Sequence, residues 1–190
     1  MFMIRRPSDA YVKAFVRSQA SLPFSYPGVG LSRTDPPVGY TVDHNRVQLG
    51  SGDETFGRAV QAVRDWRMFA LGWVELCWPD TPLATGATVA VLVRWSGLWS
   101  LNGCRIVYGI DEQTPMRRFG FAYGTLPEHA ERGEERFSVE WRADDTVWYD
   151  LLAFSQPHQW HAKLGRPVSR RLQKRFARDS MAAMVGAVGR

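Results

Sequence analysis

The residues able to do chemistry crowd into one polar stretch, Thr125 to Glu135, which carries His129, Glu131, Glu134 and Glu135. A histidine beside carboxylates is the usual proton-transfer pair, because the imidazole titrates near neutral pH and the carboxylate orients it. On that ground His129, Glu134 and Glu135 are the candidate catalytic groups of a hydrolase- or cyclase-like enzyme. Their spacing limits the idea. Glu134 and Glu135 are adjacent, and a strand sends adjacent side chains to opposite faces, so they cannot form a carboxylate dyad. The favoured reading of the stretch is a hydrogen-bonded loop rimmed by Glu–Arg pairs, which are common and weak at surfaces.

Other reactive side chains offer less. His158 and His161 would share one side of a helical turn, but a metal needs three or four ligands and no third lies nearby. No metal site is therefore expected, and His44 is read as structural. Cys77 and Cys104 sit in apolar runs without a CxxC, where a cysteine behaves as a small hydrophobe. Walker phosphate loops, Rossmann glycine fingerprints and nucleophile elbows are all missing. Gly28-Val29-Gly30 lacks the third glycine and the strand–helix setting. No cofactor is expected.

The elements that must position these residues follow from periodicity. Tyr40–Leu49 has the pattern of a strand, and Ser51 to Glu54 has that of a capping box opening a helix to about Trp66. Phe56, Ala59, Val60 and Val63 would form its buried face. Strands are then expected over 73–78, 88–95, 103–110, 118–124, 134–142 and 146–155, the last two as a hairpin across Ala143-Asp144-Asp145. In the 118–124 strand, Phe119, Phe121 and Tyr123 share one face. The other face has only Gly120, Ala122 and Gly124, which invites the close approach of an element or a ligand, and a packed neighbour is the favoured occupant. Pro167 suits the first turn of a closing helix. Its apolar stripe is Leu164, Val168, Leu172 and Phe176, and its basic stripe is Arg166, Arg170, Lys174 and Arg178.

Composition sets the frame. A chain of 190 residues, 45% hydrophobic and 23% charged, fits one folded domain and not a disordered one. No run reaches the ~18 apolar residues of a membrane span. Arg5 and Arg6 precede no apolar segment of a secretory signal, so the reducing cytoplasm is the expected compartment. Eight tryptophans fill a core or line a cavity, with core filling favoured. The formal charge of +5 is uneven: eight of the 24 Lys and Arg lie beyond Gln159, against the single acid Asp179. That basic stripe could attract nucleic acid or anionic lipid, or bind an acidic protein as an adaptor would. It has no interleaved aromatics and no nucleic-acid motif beside it, so a solvated face is favoured and nucleic acid is disfavoured as a partner.

Three segments carry a resemblance. Phe119-Gly120-Phe121-Ala122-Tyr123-Gly124-Thr125-Leu126-Pro127 with His129 and Gly133-Glu134-Glu135-Arg136-Phe137 is one. Gly39-Tyr40-Thr41-Val42-Asp43-His44 and Ala153-Phe154-Ser155-Gln156-Pro157 are the others. Together they resemble a bacterial and plant family catalogued only as a domain of unknown function, over about residues 22 to 188. That resemblance implies no activity. By element order and its arginine-rich C-terminal helix, and not by a shared motif, the chain also resembles the START-like, polyketide-cyclase and birch-pollen-allergen-like superfamily. The fold this implies is helix-grip: an α+β arrangement in which a curved antiparallel sheet of about seven strands grips a long C-terminal helix. Residues 1–38 would be a Pro/Gly-rich extension packed on the body, and 39–190 the single helix-grip domain. Members often keep an apolar cavity between sheet and helix, so a small hydrophobic or amphipathic ligand is the expected partner. Tyr123, Thr125, His129, Glu134 and Trp148 would be its binding residues, in a protein read as a binder before an enzyme.

Overall fold

Alternating apolar and polar residues, recurring segment after segment, build one antiparallel sheet. The computed structural model describes residues 2–78, 80–157 and 166–189. In chain order these form β1 (Phe2–Met3), α1 (Asp9–Gln19), β2 (Thr41–Ser51), α2 (Gly52–Arg64), β3 (Val74–Cys77), β4 (Thr88–Trp95), β5 (Leu98–Glu112), β6 (Arg117–Thr125), β7 (Glu131–Trp141), β8 (Thr146–Pro157) and α3 (Arg166–Val188). Short 3-10 turns sit at Leu31–Arg33 and Arg67–Phe69. The sheet order is β2-β8-β7-β6-β5-β4-β3, antiparallel throughout, with β1 added beside β5. Both α2 and α3 pack on the same face. This is the α+β helix-grip architecture: a curved seven-stranded antiparallel sheet closed by a long C-terminal helix.

Strand parity decides what each face holds. Phe121 and Tyr123 of β6, Phe137 and Val139 of β7, and Tyr149 and Leu151 of β8 are buried on the helix-facing side with Ala59 and Val63 of α2 and Met184 and Val188 of α3. One buried polar pair crosses this layer, Tyr149 Oη to Ser180 Oγ at 2.9 Å, and satisfies both hydroxyls. Cys77 and Cys104 are buried and free.

The outer face is covered from the N-terminal side, partly by a helix that the Pro/Gly-rich composition of residues 1–38 does not announce. Helix α1 is capped by Ser8, whose Oγ accepts the Tyr11 amide. It lays Val12 and Phe15 on Cys77, Ala90, Leu92 and Leu101. Phe24 and Tyr26 then run along β6, where a Cβ on Gly124 would lie 2.2 Å from Tyr26 Oη. The bare face of β6 thus admits an aromatic neighbour. It is not the open side of a ligand site.

The expected capping box does not form. Ser51 makes no side-chain cap hydrogen bond, because it is the last ladder residue of β2, opposite Thr146. Glu54 instead accepts from Arg58 one turn on. In α3 the stripes also differ from a simple packed side and wet side. Leu164 lies outside the described residues, as does the side chain of Arg166. Arg170 leaves the solvent for Asp43 on β2, Arg178 bonds Asp179, and Lys174 is exposed. Among the described residues no helix is long and apolar enough to cross a membrane.

Candidate functional site

Where α3 spans the concave face, the side chains do not fill the space. A cavity of about 680 Å³ remains, bounded among the described residues by the sheet, the Leu126–Ala130 loop and α3. Its wall is mostly apolar, with Val91, Val93, Leu151, Leu172 and Phe176 among the lining residues. Phe69, held by the turn after α2, anchors an aromatic cluster. Its ring centroid lies 6.2 Å from Tyr123, 5.5 Å from Phe137 and 5.4 Å from Phe176.

Against this apolar wall one carboxyl stands out. Glu135 pairs in register with Tyr123 on β6 and Ala153 on β8, so its side chain projects to the concave face. Tyr123 Oη donates to Glu135 Oε2 at 2.7 Å, and among the described residues this is its sole hydrogen-bonding partner. Glu135 is half-buried, and it lines the cavity. Burial pushes its pKa up to about 7; the Tyr123 hydrogen bond opposes this, and the negative charge of Asp43 adds to it. Tyr123 is itself held well above the usual phenol value, first by burial and then by the Glu135 charge.

Glu134 meets the opposite fate. Its carboxylate lies on the outer face, only 2% exposed, and serves as an anchor for residues 26–32. Tyr26 Oη and the Gly30 amide donate to Oε2, both at 2.7 Å, while the Ser32 amide at 3.0 Å and the Ser32 hydroxyl donate to Oε1. With four donors taken, it has no capacity left for a ligand, and it cannot join Glu135 across the sheet. His129 is bonded to neither glutamate; its Nδ1 accepts the Glu131 amide at 3.0 Å. Neither expected catalytic pair, His129 with Glu134 or His129 with Glu135, is therefore hydrogen-bonded.

Thr125 borders the cavity, but its Oγ1 is spent on fastening, accepting from the Gly133 amide at 2.9 Å and lying 2.7 Å from Ser25 Oγ. Trp148 does not line the cavity. Its neighbours Val147 and Tyr149 point inward, which sends Trp148 outward between Arg46 and Arg142, at 6.0 and 5.1 Å from the ring. Of the five expected binding residues, Tyr123, Thr125, His129 and Glu134 are among those lining the cavity. Glu134 gives its carboxylate to the N-terminal segment.

Asp43, Asn45 and Gln173 were not expected at the site, yet they line it. Arg170 Nη2 donates to Asp43 Oδ1 at 2.8 Å, and Nη1 donates to Asp43 Oδ2 and to Gln173 Oε1. Gln173 Nε2 in turn donates to Ser155 Oγ at 3.0 Å. This chain bolts the first turns of α3 to the β2 and β8 edge, beside the cavity. Asn102 braces the other flank, its Oδ1 accepting the Ala130 amide at 3.3 Å. The one signal available for Asp43 was its place in the Gly39–His44 segment.

His44, read as structural, is not among the residues lining the cavity. It sits on the outer face with Nε2 2.6 Å from Asp150 Oδ2, where Arg46 and Arg136 also converge. Burial alone would raise Asp150, but hydrogen bonds from His44 and Arg136 hold it below the usual carboxylate value. Among the described residues no group of three His, Cys, Asp or Glu could hold a metal ion. His158 and His161 lie outside the described residues.

The chain is similar to known proteins in sequence and in fold. A family model described as "Domain of unknown function (DUF1990)" matches residues 25–183. The UPF0548 protein of Dictyostelium discoideum is 37% identical over 208 residues, spanning 100% of this chain and 96% of that one. A UPF0548 protein of Deinococcus radiodurans is 39% identical over 202 residues, spanning 100% of both. Among solved structures, a hypothetical protein of Helicobacter pylori, jhp0584, superposes with a TM-score of 0.51 at 14% identity, over 77% of this chain and 86% of that one. That likeness concerns the fold alone.

Proposed function

From the premise that the chain belongs to the DUF1990 family, whose name carries no chemistry, we propose that it binds a hydrophobic or amphipathic small molecule between the sheet and α3. One observation carries this: a cavity of about 680 Å³ with a mainly apolar wall and a few convergent polar groups, Tyr123, Glu135 and His129 among them. Packed interiors rarely keep voids larger than a water, and ligand sites of a few hundred Å³ have this composition. Phe176 and Leu172 on α3 face Val91 and Leu151 on the sheet, so an apolar body would lose its water on both sides and gain accordingly.

The test is a titration with phenylnaphthylamine, a neutral fluorophore that brightens in apolar surroundings. The full chain should bind it saturably at one site. Leu172→Trp places a large ring in the cavity from a half-buried helix position, and should weaken binding at least about tenfold, the equivalent of 1.4 kcal/mol, with the melting temperature retained. No saturable binding, or equal binding by both proteins, overturns the proposal.

A further inference from the structure

Glu135 carries a question that an apolar ligand alone does not answer. A carboxyl placed against an apolar cavity wall is costly when charged, and proteins usually offset that with an arginine, a lysine or several amide donors. Here the chain supplies one phenol, Tyr123. Among the described residues no cation reaches Glu135. Arg170, on the facing helix, is turned to Asp43, and Asp43 itself raises the Glu135 pKa. The acid is not a fold requirement of the kind Glu134 meets, since it holds no other segment in place.

Aromatic side chains share the cavity with it. Phe69, Tyr123 and Phe176 line the same cavity, and Phe69 is within 6.2 Å of both other rings, centroid to centroid. Rings so grouped offer negative quadrupole faces, which attract cations, and a carboxylate beside them supplies the counter-charge.

Resting on the cavity reading above, we infer that the bound molecule is an amphiphilic amine, with its ammonium group against Glu135 and the rings of Phe69, Tyr123 and Phe176, and its apolar body along the rest of the cavity. The same arrangement rejects a fatty-acid anion, which would bring a second carboxylate to Glu135. An alcohol of the same length would accept or donate one hydrogen bond but would leave the carboxylate's charge unmatched.

The experiment compares decylamine, decanol and decanoate, each below its micellar concentration, by calorimetry at a pH of about 8, where an alkylamine with an ordinary value near 10.4 is protonated. In the wild-type chain the amine should bind at least about tenfold tighter than the alcohol, and decanoate weakest. Glu135→Gln can still accept the Tyr123 hydroxyl; it should abolish the amine's advantage, bringing the amine and the alcohol to the same level. Two outcomes overturn the inference: decanol or decanoate matching the amine in the wild type, or the amine preference surviving in Glu135→Gln. If the alcohol and phenylnaphthylamine bind without any amine preference, the inference falls and the cavity reading stands. If none of the four binds, both fall.

Discussion

Replacing Glu135 by glutamine should stabilise the unliganded protein at alkaline pH and leave it nearly unchanged in acid. The reasoning is one of linkage. In the folded state the Glu135 carboxyl has a pKa of about 7, against 4.5 for an ordinary glutamate. The folded state thus holds its proton more tightly than the unfolded chain. Stability from this group is fully present below pH 4.5, and it is lost as pH rises through about 7. At 1.36 kcal/mol per decade, the whole loss amounts to about 3 kcal/mol. Glutamine has no charge to bury and keeps an acceptor for Tyr123, so it escapes that loss. For a domain of this size the difference corresponds to about 6–12 °C in melting temperature. Urea unfolding of both proteins from about pH 4 to about pH 9 measures it. The variant's advantage should be near zero at the acid end and grow to about 3 kcal/mol, with a midpoint between the two pKa values. A difference that is flat with pH, or a wild type that gains on the variant as pH rises, would refute the reasoning.

Three further outcomes follow from the contacts. Glu134→Ala strands the donors of Tyr26, Gly30 and Ser32 on the outer face, and should cost about 3 kcal/mol or more in urea unfolding. Amide exchange at Gly30 and Ser32, which donate to that carboxylate, should accelerate with it. Gly124→Ala puts a methyl where Tyr26 Oη lies 2.2 Å away, and should cost about 1–3 kcal/mol. Since both substitutions release the same segment, the double variant should cost less than the sum, which a double-mutant cycle reads directly. Arg170→Met leaves Asp43 without its bidentate partner and should cost about 1 kcal/mol. It should also push the Glu135 midpoint above about 7, because the Asp43 charge is then unopposed.

How much was legible depended on whether the decisive partner was local. The strands were, because alternation such as Phe137, Val139 and Trp141 against Ser138 and Glu140 separates one apolar face from one polar face. The long α3 was legible for the same reason. Helix α1 was not, since it lies in a segment whose Pro and Gly content reads as extension, and it is held by Leu92 and Leu101, far along the chain. The capping box misled because Ser51 already belonged to a ladder with Thr146, a partner nearly a hundred residues on. Trp148 shows a case where the signal was present and unused: with Val147, Tyr149 and Leu151 inward, parity alone sends Trp148 out.

The two adjacent glutamates make the sharpest case. Sequence parity required Glu134 and Glu135 to face opposite ways, and the structure agrees. Parity could not say which side would become a clamp and which a binding cavity, because that depends on what covers each face. Tyr26, Gly30 and Ser32 arrive from the N-terminal segment with four donors and make Glu134 a structural acid. On the other face α3 arrives at cavity distance with Phe176 and Leu172, and Glu135 keeps a single phenol. The same side-chain chemistry is therefore satisfied at one position and left short at the next. An acid left short inside an apolar space is the one at which an incoming ligand has most to contribute, so the chemistry of the site rests on Glu135 and not on the pair.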